Sequence, residues 1–343
     1  MKISFFFILT VSLFQSYTAL PQERKNDFCV LFYNVENLFN TKNDPDKEDD
    51  EFTPEGGRHW TNKKLNHKLI NISKAILNSA GFAAPEVVAL CEVEDHEVLD
   101  RLINTTPLKN FNYKIIHKES PDHRGIDVAL LYNAEKVYPL EYKFFPLKNG
   151  GAIVHTREIL YFSGILNKTD TLHFFVNHWP SRYDGLLESK PMRNQAAGVL
   201  KSKVEELQQK FAAPKIIILG DFNDQPSDES ISEILNAKPV HKNIESNCLY
   251  NLSFWWEKKE GGTLKYQSQW YVFDQCIISG TLLNSKKGFS VVPENAKVSD
   301  LPFLLEKDKR YGGTKPFRTY SGYSYEGGFS DHLPILVKLI LQD

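Results

Sequence analysis

Lys215-Ile216-Ile217-Ile218-Leu219-Gly220-Asp221-Phe222-Asn223-Asp224 sets four consecutive aliphatic residues directly against a glycine and a polar end. A short β-branched run of this kind reads as a strand buried on both faces, the inner strand of a layered sheet. Continued extension at period two aims Asp221 and Asn223 the same way. Gly220, with no Cβ, lets the backbone approach a ligand closely. A buried strand that ends in ionisable and amide groups, where turn residues are expected, is the pattern to look for elsewhere.

On either side of this run, apolar runs with alternation or β-branched content predict further strands over residues 28–35, 87–93, 113–117, 127–132, 172–177, 270–278 and 333–341. Helical spacing predicts helices over 63–79, 96–103, 190–210 and 229–235. Strands interleaved with helices, without internal repeat or low-complexity linker, predict one layered α/β domain over residues 27–343. Several strands end as the opening one does. Period two puts Asn34 and Glu36 on the face of Phe32, Glu92 with Val88 and Leu90, and His178 with Phe174 and Val176. Asp274 differs, embedded among the apolar residues of 270–278. A lone buried carboxylate is costly and requires a partner, for which an imidazole is the natural choice. Gly327-Gly328-Phe329-Ser330-Asp331-His332-Leu333-Pro334 precedes the last strand. Adjacent strand residues face opposite ways, so Asp331 and His332 serve one site only if the chain kinks there.

The 343-residue chain is 41% hydrophobic and 24% charged, the composition of an ordinary globular protein. Its 41 basic and 43 acidic side chains give a net charge of −2, which excludes the strong positive field of a dedicated nucleic-acid-binding domain. It does not exclude a hydrolase in which a bound cation supplies positive charge locally. Met1-Lys2, an apolar run over 3–13 and the polar Gln22-Glu23-Arg24-Lys25 form a secretory signal pattern over residues 1–20. Cleavage is expected near Ala19 or Leu20, giving a secreted or periplasmic product. The run is too short for a bilayer core of ~30 Å, no later segment offers a span, and no Cys follows it, so no stable membrane anchor is expected. Cys29, Cys91, Cys248 and Cys276 match no zinc spacing and leave free thiols and one disulfide equally open. The acidic run 44–51 lacks the EF-hand pattern and reads as a solvated loop, with calcium binding as the alternative. Phe254-Trp255-Trp256 reads as a core cap, with a membrane-dipping loop as the alternative.

Singly, a strand-end Asp or Asn caps a turn, and a lone His is a satisfied core or surface residue. Together these groups make an oxygen-rich set for one hard cation with an acid–base pair beside it. Magnesium or manganese suits such ligands, calcium is left open, and no Cys/His cluster asks for zinc.

The ordered motifs Asn34-Val35-Glu36-Asn37, Leu90-Cys91-Glu92, Asn177-His178-Trp179-Pro180, Gly220-Asp221-Phe222-Asn223-Asp224 and Ser330-Asp331-His332 resemble those of the endonuclease/exonuclease/phosphatase superfamily. The resemblance covers essentially the whole chain from Phe28 onward. Arg124-Gly125-Ile126-Asp127 and Trp179-Pro180-Ser181-Arg182 are similar to a secreted, deoxyribonuclease-like bacterial branch. What this implies is a four-layer α/β sandwich, two packed mixed β-sheets flanked by helices, with the site where strand-end loops meet along one edge. It implies Glu92 as the principal metal carboxylate, Asn34 and Asp331 completing or supporting the metal shell, and Glu36 in a neighbouring position that can carry an acid. Asp221 and Asn223 correspond to the pair that orients the attacking water and the phosphate, Asp274 to the carboxylate that orients His332, and His178 to the second histidine of the deoxyribonuclease-like branch. Asp127 is the expected orienting partner of His178. Arg124, Arg182 and Arg193 are candidate phosphate contacts, with a surface ion pair as the alternative for each.

Attack on a phosphodiester piles negative charge on the equatorial oxygens, which Mg²⁺ on Glu92 and donors from Asn223, His178 and His332 would stabilise. The expected function is a secreted, metal-dependent phosphodiesterase, monomeric, acting as an endonuclease on nucleic acid. A phosphatase or a lipid phosphodiesterase of phosphoinositide or sphingomyelin type is the alternative on the same fold. A binding module without chemistry is more remote, because Glu92, Asp221, Asn223, Asp274, Asp331 and His332 are all present.

Overall fold

The computed structural model describes residues 27–183, 185–258 and 261–342; the expected signal segment, 1–20, lies outside them. In chain order, the elements that position the site are β1 (Asp27–Leu38), α1 (Asn62–Ser79), β2 (Val87–Val93), α2 (His96–Thr105), β3 (Tyr113–His117), β4 (Asp127–Asn133), β5 (Val137–Phe145), β6 (Ile159–Leu166), β7 (Asp170–His178), α3 (Leu186–Lys210), β8 (Lys215–Asp221), β9 (Asp274–Ser279) and β10 (Ile335–Gln342).

Alternation within the strands builds the layers. β1 and β2 run parallel, in register from Val30↔Val87 to Asn34↔Cys91. Phe28, Val30, Phe32, Val87, Ala89 and Cys91 enter the core between the sheets. Leu31, Tyr33, Val88 and Leu90 face the other way and pack with Leu65, Leu69 and Ile72 of α1 and Val98 and Leu102 of α2. With both faces buried, these strands read as near-continuous apolar runs. β10, β1, β2, β4 and β3 are neighbours in that order, with short edge strands at Gly288–Ser290 and Ala296–Val298 on β10.

The second sheet runs from short edge strands through β9, β8, β7 and β6 to β5. Phe174, Val176, Ile217, Leu219, Cys276 and Ile278 meet the first sheet, while Phe175, Ile216, Ile218 and Ile277 meet Ala196, Ala197, Leu200 and Val204 of α3. Burying each such aliphatic side chain stabilises the fold by about 1.5–3 kcal/mol before the entropy of ordering it is subtracted. Helix, sheet, sheet and helix thus stack as the four-layer α/β sandwich that the motifs implied. β7 lies parallel to β8, β9 antiparallel to it, and the register pairs Asp221 with His178 on one side and Asp274 on the other. Three polar residues therefore stand in one row across three adjacent strand ends.

Some expectations are corrected. The strand expected over 270–278 is broken: Gln269–Tyr271 pairs with Leu264–Tyr266, and β9 starts afresh at Asp274. Thr263 Oγ1 makes the break by accepting the N–H groups of Phe273 and Asp274 at 3.2 and 3.1 Å. Asp274 is thus the first residue of its strand and not buried in its middle. Gly220 serves a neighbouring strand and not a ligand, since a Cβ there would lie 2.5 Å from Asn177 O. β5 and β6 escaped the sequence pattern because Pro139 and Gly164 interrupt their apolar runs; β5 is an edge strand, where a missing N–H is tolerated. The helix expected over 229–235 is one wide turn closed by Leu235 N–H on Ser230 O at 3.0 Å. The structure joins no pair of the four cysteines in a disulfide. Leu252 and Trp256 join the core while Trp255 is exposed, and among the described residues no helix is long and apolar enough to cross a membrane.

Candidate active site

The strand ends are re-aimed by backbone that few side chains accept. Glu36 (φ 52°), Asn37 (54°), Glu92 (60°) and Asn223 (50°) all sit in the left-handed region, at a cost of roughly 1 kcal/mol or more each. β1 and β2 slip register just after Asn34 and Cys91, where these residues fall. Period-two extension therefore stops at the site. Glu36 does not continue the face of Asn34; its N–H folds back onto Asn34 Oδ1 at 3.0 Å.

Asn34 joins the acids of the two sheets. Its Nδ2 donates to Glu92 Oε1 at 3.2 Å and to Asp221 Oδ2 at 3.0 Å. Glu92 Oε2 accepts the N–H of Asn37 at 2.9 Å. His178 Nε2 stands 3.9 Å from Glu92 Oε1 and 3.8 Å from Asp221 Oδ2, and His332 Nε2 stands 3.8 Å from the same Asp221 oxygen. Behind it, His332 Nδ1 meets Asp274 Oδ2 at 2.7 Å, which is the imidazole partner a buried Asp274 requires. Asn223 is fixed at both ends, its N–H on Asp221 Oδ1 and its Nδ2 on Trp179 O, each at 3.0 Å. The kink expected before β10 is present: Ser330 Oγ donates to Asn34 O at 2.7 Å and accepts His332 N–H at 3.1 Å. Gly328 permits it, since a Cβ would collide with Phe317 O.

Burial pushes the Asp221 carboxyl up, against the pull of His332. Burial alone would depress His332, but the charges of Asp274 and Asp221 and the hydrogen bond to Asp274 outweigh it and hold the imidazole well above its usual value. His178 goes the other way. Burial, then Arg157, Arg124 and His332, all drive it well below the usual histidine range, so it stays neutral. Its Nδ1 is buried and has no hydrogen-bond partner among the described residues.

The model of the endonuclease/exonuclease/phosphatase family matches residues 29–340, nearly the whole chain. The chain belongs to this family. No curated protein matches its sequence. Among solved structures it is similar to the Bacteroides thetaiotaomicron mannosyl-6-phosphatase Bt3783 (17% identity, TM-score 0.56, 92% of this chain and 100% of that one). It is also similar to a humanized D. rerio TDP2 (12%, TM-score 0.55, 91% and 98%) and to the human Nocturnin catalytic domain (14%, TM-score 0.54, 92% and 95%). At such identities these likenesses show a shared fold.

Within this family member the expected site residues divide. Asn34, Glu92, His178, Asp221, Asn223, Asp274 and His332 come together. Glu36 is held apart from Glu92 by other partners: Oε2 accepts Thr319 N–H at 2.6 Å while Oε1 faces Arg318 Nε and Tyr320 N–H. Asp331 is paired with Arg318 Nη2 at 3.0 Å. Asp127 does not orient His178; its oxygens are taken by His117 Nε2 at 3.2 Å and Ser120 N–H at 2.9 Å. Arg193 is corrected as a phosphate contact, being fully buried on Asp224 at 2.7 Å. Arg182 is likewise engaged by Asp224, Asp228 and Asn223 O. Only Arg124 of the three reaches the rim, where its Nη2 donates to Asn37 Oδ1 at 2.8 Å.

Three cations at the site lie outside the sequence motifs. Arg318 bridges Glu36 and Asp331. Lys68, buried on Thr319 Oγ1 and Phe329 O, is pushed down to about 8 by burial. Arg157 holds Asp122 at 2.9 Å and Trp179 O at 2.8 Å, beside His178. All three lie in segments without strand-end motifs, and only a positive charge at an otherwise apolar helical position, Lys68, offered a signal.

Glu92 and Asp221 come from different sheets, share one amide donor and carry no Lys or Arg ion pair among the described residues. A carboxylate such as Glu92, beside the Asn34 amide and without a Lys or Arg ion pair among the described residues, fits a hard divalent cation. Asp221, Asp274 and His332 also offer ligand atoms within 4.8 Å of one another, as do His117, Glu119 and Asp127. The 2.7 Å bond between His332 and Asp274 is that of an acid–base pair, which leaves Glu92, beside Asn34, as the better seat for a cation.

Proposed function

We propose that this protein is an exported, divalent-metal-dependent phosphoester hydrolase whose substrates are nucleic-acid phosphodiesters. The observation that carries the reading is the convergence of two imidazoles, one neutral and one charged, on a single Asp221 oxygen. Asp221, pushed up by burial, is a carboxylate whose proton affinity suits taking a proton from water near neutral pH. His332, kept cationic by Asp274, donates to the phosphoryl oxygens as charge develops on them. His178, neutral and aimed by its strand at the same point, supplies a second donor, and Asn223 fixes the position of Asp221 through its N–H. Glu92, beside Asn34, would hold a Mg²⁺ or Mn²⁺, which when bound would supply Lewis-acid polarisation of a phosphoryl oxygen. The nucleic-acid substrate is supported by the Asn177-His178-Trp179-Pro180 motif of the deoxyribonuclease-like branch, and export by the apolar run over 3–13.

The test is a magnesium-dependent panel of supercoiled plasmid, RNA, bis(p-nitrophenyl) phosphate, an inositol phosphate, sphingomyelin and mannose 6-phosphate, run on wild type and Asp221→Ala. Nicking of the plasmid that is lost in Asp221→Ala and in EDTA is the expected result. Hydrolysis of mannose 6-phosphate without nicking would replace the nucleic-acid substrate with a sugar monoester, the class named for the Bacteroides neighbour.

A further inference from the structure

Just before the segment that carries His332, the chain builds a small hairpin in which Tyr320–Ser321 pairs with Ser324–Tyr325. Gly322, the first of its two turn residues, takes φ 61°, the left-handed conformation that such tight turns require and side chains resist. Tyr323, the second, stands at the tip and is 68% exposed. A tyrosine at a hairpin tip is ordinarily mobile; this one has a floor. The Arg58 guanidinium lies 5.4 Å from the Tyr323 ring centroid, 5.1 Å from that of Tyr320 and 4.9 Å from that of Phe52. Arg58 Nη1 donates to Gly322 O at 2.8 Å, and Tyr320 OH donates to Arg58 O at 2.8 Å. A Cβ on Gly57 would come within 3.0 Å of Tyr323 Cε1, so the ring rests against bare backbone. Glu51 neutralises Arg58 at 2.9 Å, which makes the guanidinium a support for the ring and not a phosphate ligand. One face of Tyr323 is packed and the other is open to solvent.

The hairpin is fastened to the site. The N–H groups of Thr319 and Tyr320 donate to Glu36, and Arg318 ties Glu36 to Asp331, the neighbour of His332. Three residues of chain place Tyr323 within about 10 Å of Tyr320, whose N–H meets Glu36, the residue that folds back onto Asn34. A net charge of −2 leaves the protein without a basic field to track a phosphate backbone, and stacking on a base needs none. A ring held in place before binding loses little freedom when it is covered.

Resting on the nucleic-acid reading above, we propose that the open face of Tyr323 stacks a base of the substrate strand. The test is a fluorescence-anisotropy titration of labelled hexathymidylate and of an abasic oligomer of equal length, in metal-free buffer so that neither is cut. Wild type, Tyr323→Ala and Tyr323→Trp are compared; the side chain is exposed, so the fold is not at stake. Tyr323→Ala weakens the base-bearing oligomer by about tenfold, within the range of base–aromatic stacking. The same change leaves the abasic oligomer unaffected, and Tyr323→Trp restores binding. Equal affinities for wild type and Tyr323→Ala, or equal loss with both oligomers, would overturn the proposal, as would failure of wild type to bind either. Stacking that persists in a protein unable to cut plasmid or RNA would instead refute the nuclease reading and leave the platform standing.

Discussion

His178 ends β7 and His332 precedes β10, and each points Nε2 at the same Asp221 oxygen from 3.8 Å. Both are buried, and burial alone would leave both neutral. What separates them lies behind each ring. His332 has Asp274 on its Nδ1 at 2.7 Å, whereas the Nδ1 of His178 has no partner among the described residues and Arg157 and Arg124 lie nearby. One imidazole is therefore held as a cation and the other as a neutral ring. With both rings buried, the carboxylates around His332 make the difference between the two states.

That contrast can be broken from the His178 side first. Arg157→Met leaves Asp122 buried without its partner and is expected to cost roughly 3–5 kcal/mol in chemical denaturation. In the same variant the His178 titration followed by NMR moves up toward the usual histidine value, because a positive neighbour has gone. An unmoved His178 would mean that burial alone keeps it neutral. His178→Gln comes next, lowering kcat on a small phosphodiester by roughly 10²-fold, the lower range for an acid–base or donor group. The smallest effect belongs to Asp127→Asn. Because Asp127 bonds to His117 and Ser120 and not to His178, its activity is expected to stay within about threefold of wild type, with stability lowered by roughly 1 kcal/mol. A large loss of activity there would restore Asp127 as an orienting group.

The sequence made the row of His178, Asp221 and Asp274 visible because each stands beside an apolar run, and periodicity reports what a strand buries. It did not reveal their neighbours, since the pairings Asp221↔His178 and Asp221↔Asp274 depend on register across strands far apart in the chain. The same limit explains Asp127. Its partner His117 lies across the β3–β4 pair, where His117 is opposite Ala129, and only that register brings the two side chains to one face. Arg182 and Arg193 read as phosphate contacts because they adjoin or follow a motif, yet the fold turns both onto Asp224. Glu36 was placed beside Asn34 by a period that the left-handed backbone at Glu36 and Asn37 interrupts. Arg318 lies between short strands in a segment without periodic pattern, so no local signal marks it.

The most direct measurement is the pH profile of kcat/KM for magnesium-dependent phosphodiester hydrolysis by wild type and Asp274→Asn. His332 is raised in the folded protein, so its charged form is present at low pH and is lost as pH climbs through the raised value. Removing the Asp274 charge lowers that value. The expected result is an alkaline limb displaced to lower pH and a rate at neutral pH reduced by roughly 10²–10⁴-fold. A variant within about threefold of wild type, with its alkaline limb unmoved, would contradict the claim that Asp274 and His332 form the acid–base pair of a phosphoester hydrolase.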